Sequence, residues 1–553
     1  MSRLLRGFGL AAALAAAGCA GEGNQPDLVV FARIWTGDSA RPFAGAMAVK
    51  ADTVYAVDDS LAIEALIGPR TERLDYPGQL VVPGLIDDHV HLFAGGFQLT
   101  SVDLRTAGTP EEFARRIGEF AQTVPAGTWI QGGDWDHEGW PGTPLPDRSW
   151  IDSLTPDHPV FVNRLDGHMA LANSAALRAA GLDRSAASPP GGEIVRRADG
   201  ELTGVLKDAA MDRVYSVIPA PSAEQRDSAL VRAMRHAASL GVTGVSSVST
   251  AWPEVAALRR ARARDALTLR VASYFPLADW RSVAESLRGN GPGDDWIRVA
   301  GVKGFVDGSL GSTTALFDRP YDDAPATSGL FVTPEDSLRA WIGAADSAGL
   351  DVAVHAIGDR ANGVLLDIFD SVATAHGARD RRWRIEHAQH LRPADIPRFA
   401  ALGVVPSMQP YHAADDGRWA EKRIGPERIQ TTYAFRSLLD AGARLTFGSD
   451  WTVAPLDPIL GLKAAVTRQT IDGRYPEGWV PAQKITVDEA LRAYTANNAY
   501  AMHLERSVGR LTPGRQADFA VLSRNLLAIQ PAWIDSTRVV LTAVGGRVVY
   551  RAP

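Results

Sequence analysis

Two histidines one residue apart, His89 and His91, close the run Asp87-Asp88-His89-Val90-His91. In an extended segment, side chains at i and i+2 share a face, so both imidazoles reach one metal ion. Alone the pair is not diagnostic. It gains meaning from further residues at or near the ends of short apolar runs: Lys303 in Val302-Lys303-Gly304-Phe305, His355 before Ala356-Ile357, His387 after Arg384-Ile385-Glu386, and Asp450 after Phe447-Gly448-Ser449. Taken singly, each has an ordinary reading. A strand-end histidine makes a hydrogen bond, a buried lysine pairs with a carboxylate, and an aspartate caps a loop. Taken together, imidazoles, a carboxylate and a lysine in apolar surroundings read as a divalent metal centre. His158, His236, His376 and His503 fall in loops or helices and fit no ligand position.

These residues converge only if the fold gathers distant runs. Strand-like runs lie at 80–92, 242–249, 269–275, 298–306, 352–357, 384–388, 404–408 and 445–449, with helical patterns at 335–348, 361–375 and 433–441. Eight strands alternating with helices predict an α/β fold, a (β/α)8 TIM barrel with its active site at the C-terminal strand ends. A doubly wound open sheet is the rival, but no Gly-x-Gly-x-x-Gly follows the first strand to favour it. About 150 residues separate strands one and two, so an inserted subdomain is expected at about 108–225, over the barrel mouth. β-like runs at 28–34, 47–50 and 54–57, and again at 517–522, 539–544 and 547–550, suggest a small β-sandwich formed by both chain ends, with Gly545-Gly546 as a hairpin turn. The expected division is 1–26 for a signal and tether, 27–82 plus 505–553 for the sandwich, and 83–504 for the barrel.

Apolar residues make up 46% and charged residues 22%, an ordinary globular balance that excludes wholesale disorder. The net charge of −7 disfavours a nucleic-acid binder, and the short arginine-rich stretches at 259–264 and 379–384 read as solvated faces. Cys19 is the single cysteine, which rules out an intramolecular disulfide and a cysteine-based zinc site. Arg3 and Arg6 precede an Ala/Leu-rich stretch ending Ala16-Ala17-Gly18-Cys19. This resembles a bacterial lipoprotein signal and implies an exported protein held at a membrane by a lipid on Cys19, on the periplasmic or extracellular face. The usual leucine is replaced by Ala16, and a plain secretory signal is the alternative. Residues 20–26 read as a tether.

The motifs Val82-Pro83-Gly84-Leu85-Ile86-Asp87-Asp88-His89-Val90-His91, His355-Ala356-Ile357-Gly358-Asp359, Arg384-Ile385-Glu386-His387 and Gly448-Ser449-Asp450-Trp451 resemble the metal-dependent amidohydrolase superfamily. The tail from Gly509 to Asp518 looks like that superfamily's return into its β-sandwich. Gly167-His168, Asn173-Ser174-Ala175-Ala176-Leu177 and Asp307-Gly308-Ser309 are similar to the amidohydrolase 3 branch, which includes N-substituted formamide deformylase and exoenzyme-regulator-like proteins.

The resemblance implies a hydrolase acting on carbon–nitrogen bonds other than peptide bonds: an amide, a formamide or a cyclic amide. It implies two divalent ions, most simply zinc, and a CO2-derived carboxylate on Lys303 bridging them; an apolar strand would supply the neutral amine. His89, His91 and Asp450 would hold one ion, His355 and His387 the other. A hydroxide on the metals would attack the carbonyl, with Asp450 passing its proton to the leaving amine. His168 would contact the substrate, or else pack the insertion. Two alternatives stand: a mononuclear deaminase using His89, His91, His355 and Asp450, and a non-catalytic ligand-binding lipoprotein. Asp307, Trp135 and Trp451 complete the candidate substrate contacts. Trp135, Trp140, Trp150 and Trp252 would favour a flat or apolar small-molecule amide, unless they pack the insertion. Oligomeric state is left open.

Overall fold

The structure, a computed structural model, describes residues 25–553. The signal-like run and Cys19 lie outside the described residues. At the centre is an eight-stranded parallel sheet, labelled in chain order β1 (Leu85–Val90), β2 (Val242–Ser247), β3 (Arg270–Pro276), β4 (Ile297–Phe305), β5 (Asp351–Ala356), β6 (Arg384–His387), β7 (Val405–Met408) and β8 (Thr446–Phe447). Neighbours in the sheet are neighbours in sequence, as in a TIM barrel. Closure comes at the strand ends. Val90 bridges to Trp451, the Asp450 N–H donates to the His89 carbonyl at 2.7 Å, and the His91 N–H donates to the Trp451 carbonyl at 2.6 Å. The seam that closes the barrel is therefore made by candidate metal ligands. All eight expected strands are present, β8 as a two-residue ladder.

The strands form because they are almost wholly buried. β2, β5, β7 and β8 carry mostly apolar or small residues, β1 and β6 are equally buried but carry Asp87, Asp88, Arg384 and Glu386, and helices such as Glu335–Ser347 and Asp359–His376 cover the outer face. Burying each Val, Leu or Ile contributes about 1.5–3 kcal/mol, so the barrel wall sets the positions of the few polar side chains it carries.

Between β1 and β2 lies a six-stranded sheet whose strands fall within residues 102–208. Its hairpin Val160–Arg164 and Met169–Ala172 turns through Gly167, at φ +72°, a conformation glycine adopts without a Cβ clash. That turn carries His168 to the barrel mouth. The helix Ala223–Ser239, capped by a reciprocal Ser222–Gln225 box, then leads into β2.

Both chain ends meet in one seven-stranded sheet. The long strand Glu72–Pro83 runs parallel to Leu28–Trp35 and antiparallel to Phe519–Leu522. Arg270 of β3 ties this sheet to the barrel through a buried two-pronged ion pair with Asp518, at 2.6 and 3.0 Å. Gly545 and Gly546, both at positive φ, form the tight turn between the last two strands. No helix among the described residues is long and apolar enough to cross a membrane.

Candidate metal centre and active site

His89, His91, Lys303, His355, His387 and Asp450 line one cavity of about 300 Å³ at the C-terminal mouth of the barrel, together with His168. Their spacing along the chain spans more than 360 residues, and the barrel alone brings them together. His89 and His91 Nε2 stand 3.4 and 3.3 Å from Asp450 Oδ1. Lys303 Nζ is 3.2 Å from His89 Nε2. The His355 and His387 ring centres are 4.5 Å apart, and those of His168 and His355 4.9 Å.

Neighbours fix which nitrogen each imidazole presents. His89 Nδ1 donates to Glu386 Oε2 at 2.5 Å, and His387 Nδ1 to Gln409 Oε1 at 2.7 Å, leaving Nε2 of each for the cavity. His355 Nε2 donates to the Gly308 carbonyl at 3.0 Å, leaving Nδ1. Behind His89, Arg384 donates to Glu386 and to Asp88. Asp87 accepts the N–H groups of His89 and Ser449, clamping the ends of β1 and β8. Its carboxyl is pushed up to about 7 by burial. His387 and Asp450 both have positive φ, +74° and +58°, a conformation non-glycine residues seldom adopt and one that costs about 1–3 kcal/mol. The surrounding hydrogen bonds hold these two side chains over the cavity.

The residues present fit divalent cations. Burial, then the charge of Lys303, holds His89 down to about 4, and burial with cationic neighbours holds His355 and His387 well below the ordinary imidazole range. All three are neutral lone-pair donors at neutral pH. Burial works against ionisation of Asp450, but His89, His91 and His387 together hold its carboxyl well below the usual range. Its Oδ1 is buried without a hydrogen-bond partner, an orphaned acceptor among nitrogen donors. Among the described residues two groups of close donor atoms emerge: His89, His91 and Asp450, and His387, His412 and Asp450. Burial lowers Lys303 to about 8, which leaves part of the amine neutral.

His412 had no place in the sequence reading. It follows Gln409 directly after β7, within the helix Pro410–Asp416, and its Nε2 is buried without a partner. The position just beyond a barrel strand was the signal available. Glu386, Arg384 and Gln409 also act only through three-dimensional contact.

The insertion contributes a second layer. His168 Nδ1 lies 2.6 Å from Asp208. Burial opposes its protonation, but Asp208 and then Asp166 raise its pKa above the ordinary value. Asp166 accepts from Arg164, Ser309 and Ser312, joining the turn to the loop after β4. Gly311 in that loop lies so close to Arg164 that a Cβ would stand 2.3 Å from the guanidinium.

Three expected substrate contacts do not line the cavity. Asp307 is fully buried and accepts the N–H groups of Leu316, Ile357 and Gly358, so it knits the loops after β4 and β5. Trp135 is buried in the insertion between Phe113 and Trp140, its indole N–H donating to the Val162 carbonyl. Trp451 packs flat on the backbone at Gly95, where a Cβ would meet its ring at 2.5 Å. Among the other tryptophans, Trp140 joins the insertion's core, and Trp252 packs on Phe275.

A barrel with histidines, a lysine and an aspartate gathered at its mouth is the arrangement of a metal-dependent hydrolase, and comparison with known proteins agrees. The amidohydrolase family profile matches residues 74–550, and the chain belongs to that family. It is 40% identical over 540 residues to Protein LONG AFTER FAR-RED 3 of Arabidopsis thaliana, covering 95% of this chain and 91% of that protein. It is 28% identical over 536 residues to N-substituted formamide deformylase of Arthrobacter pascens, covering 95% and 98%. A solved structure of an uncharacterized metal-dependent hydrolase from Pyrococcus horikoshii OT3 superposes with a TM-score of 0.73 at 30% identity, over 91% of this chain and 99% of that one.

Proposed function

We propose that this amidohydrolase cleaves a non-peptide carbon–nitrogen bond of a small amide, formamide or cyclic amide with the help of two divalent cations, zinc being the simplest choice for this donor set. The observation that carries the reading is the convergence of His89, His91, Lys303, His355, His387 and Asp450 in one cavity, with Asp450 Oδ1 buried and facing the His89 and His91 Nε2 atoms. The similarity to a formamide deformylase supports the bond type. His89, His91 and Asp450 would hold one cation and His355 and His387 the other, with His412 within reach of the second. When bound, the cations supply Lewis-acid polarisation of the carbonyl and a water deprotonated near neutral pH.

The chain's own groups do the rest. Lys303, partly neutral in its buried strand, would take up CO2 with release of a proton, and the resulting carbamate would offer its oxygens to the cations. Asp450 receives the proton of the attacking water at Oδ1 and returns it to the leaving nitrogen. His168, oriented by Asp208, holds a proton toward the substrate carbonyl oxygen. The six-stranded insertion acts as the cover over this chemistry. Residues 1–26 address the protein for export, with a lipid on Cys19 as membrane anchor; partition of the full-length chain with membranes, lost in Cys19→Ala, tests that part.

A single-ion deaminase is the second reading, favoured by the compactness of the His89, His91 and Asp450 trio. Metal counting combined with a screen of N-formyl, N-acyl and cyclic amides, alongside ammonia release from amidine-like rings, separates the two. Two ions and amide cleavage support the first reading; one ion and ammonia release support the second.

A further inference from the structure

Outside the metal cavity lies a second hollow of about 730 Å³, walled by the helices Leu92–Gln98 and Pro110–Ala121, the strand Ile130–Trp135 and residues 218–221. The two compartments are contiguous: Ala94, Asn163, Tyr215 and Thr452 line both. At the boundary, Asn163 Nδ2 donates to the Tyr215 hydroxyl at 2.9 Å. We propose that the outer groove is a substrate subsite for an uncharged, apolar substituent, with the reacting amide in the inner cavity and the Asn163–Tyr215 pair at the passage between them. The inference rests on the amide-hydrolase reading for the inner group alone.

The chemistry of the two walls differs. The inner cavity presents Asp136, Arg164, Asp166, Asp415 and Asp416 besides the metal donors. Although Phe305, Leu310 and Ile357 also line it, a large apolar group placed there would strip water from these charged side chains without replacing their hydrogen bonds. The outer groove carries one charged lining residue, Asp134, and its carboxylate is already engaged by the Gln98 amide and lies 3.8 Å from Arg105. Its remaining wall mixes uncharged polar side chains such as Thr128, Gln131 and Gln225 with Phe97, Phe120, Val124, Trp129 and Ile218, each only partly buried and so offering apolar surface to a ligand. Size points the same way. Ligand pockets run from about 300 to 1,000 Å³, and the inner cavity sits at the lower limit, with room for a compact reacting group but not for a large substituent as well.

The test uses ω-phenylalkyl methyl ketones with zero to four methylenes, which keep the carbonyl and lack a scissile carbon–nitrogen bond. Titration calorimetry on the metal-loaded full chain should show Kd falling about fourfold per methylene once the ring enters the groove. Trp129→Ala should weaken the longest ketone at least tenfold and leave the shortest unchanged. Val124→Ser, in an exposed connection, should act in the same direction if Trp129→Ala fails to fold. A Kd independent of chain length, or equal weakening of short and long ketones by the folded variant, overturns the proposal. A matching series of N-alkyl and N-phenylalkyl formamides separates the two claims. Length-dependent ketone binding without cleavage of any amide would remove the amide reading and keep the groove. Amide cleavage with flat ketone binding would keep the reading and remove the groove.

Discussion

Glu386 accepts the Nδ1–H of His89 at 2.5 Å, and both side chains are shut away from solvent. The contact decides which nitrogen His89 offers the cavity and is itself fixed by Arg384, which spans Glu386 and Asp88. In Glu386→Gln the charge that orients His89 and neutralises Arg384 is lost while the volume is kept. Metal affinity should fall about 10–100-fold, read by competition with a chromogenic chelator. Unchanged affinity would reduce the contact to packing.

In the proposed reaction Asp450 is both metal ligand and proton acceptor; its Oδ1 lies 3.3 Å from His91 Nε2. Asp450→Asn keeps the size and an oxygen donor but cannot take the proton. With metal content near normal, kcat should drop by about 10²–10⁴ with little change in KM. The acidic limb of kcat/KM, which in the proposed reaction reports a proton shared between Asp450 and the attacking water, should vanish with it. Near-normal kcat at full metal content would return Asp450 to a structural role.

Trp135 is predicted to matter for stability and not for substrate. Trp135→Ala empties a site packed by Phe113 and Trp140 and should cost about 3–5 kcal/mol in denaturant unfolding. The kcat/KM of the protein that remains folded should stay within a few-fold of wild type. A selective rise in KM for aromatic substrates would place the ring in the substrate path after all.

The pair Arg270–Asp518 joins β3 to the sheet made by the chain ends. Arg270→Met strands a buried carboxylate and should cost about 3–5 kcal/mol. The double variant Arg270→Met with Asp518→Leu should recover part of that loss, because no unpaired charge remains. Equal stability of the two variants would show that packing, not the ion pair, is what the joint requires.

The barrel was legible in the sequence because most of its strands are short, largely apolar runs bounded by polar or glycine turns, with β1 and β6 carrying charged residues that serve the site. The strand-end histidines, Lys303 and Asp450 were legible because a barrel strand's last residues have one destination. His412 was missed: it lies in a helix after β7, and only its position just beyond a barrel strand marks it. The role of Glu386 was missed too, since its partner His89 is 297 residues away. The tryptophans misled for a physical reason. An indole lining a groove and an indole packed in a core have the same sequence signal, and here Trp135 and Trp451 are packed. The aromatic wall of the outer groove comes from Phe97, Phe120 and Trp129, on three separate segments.

The most direct measurement is metal content and amide hydrolysis on the same preparations of wild type and Lys303→Ala. Wild type should hold about two divalent ions per chain, lose hydrolysis with chelation and regain it with zinc. Lys303→Ala should lose metal and activity together, with partial recovery in millimolar short carboxylates that would replace the carbamate proposed for the lysine. Full activity in a metal-free preparation, or a Lys303→Ala variant with wild-type metal content and turnover, would contradict the account.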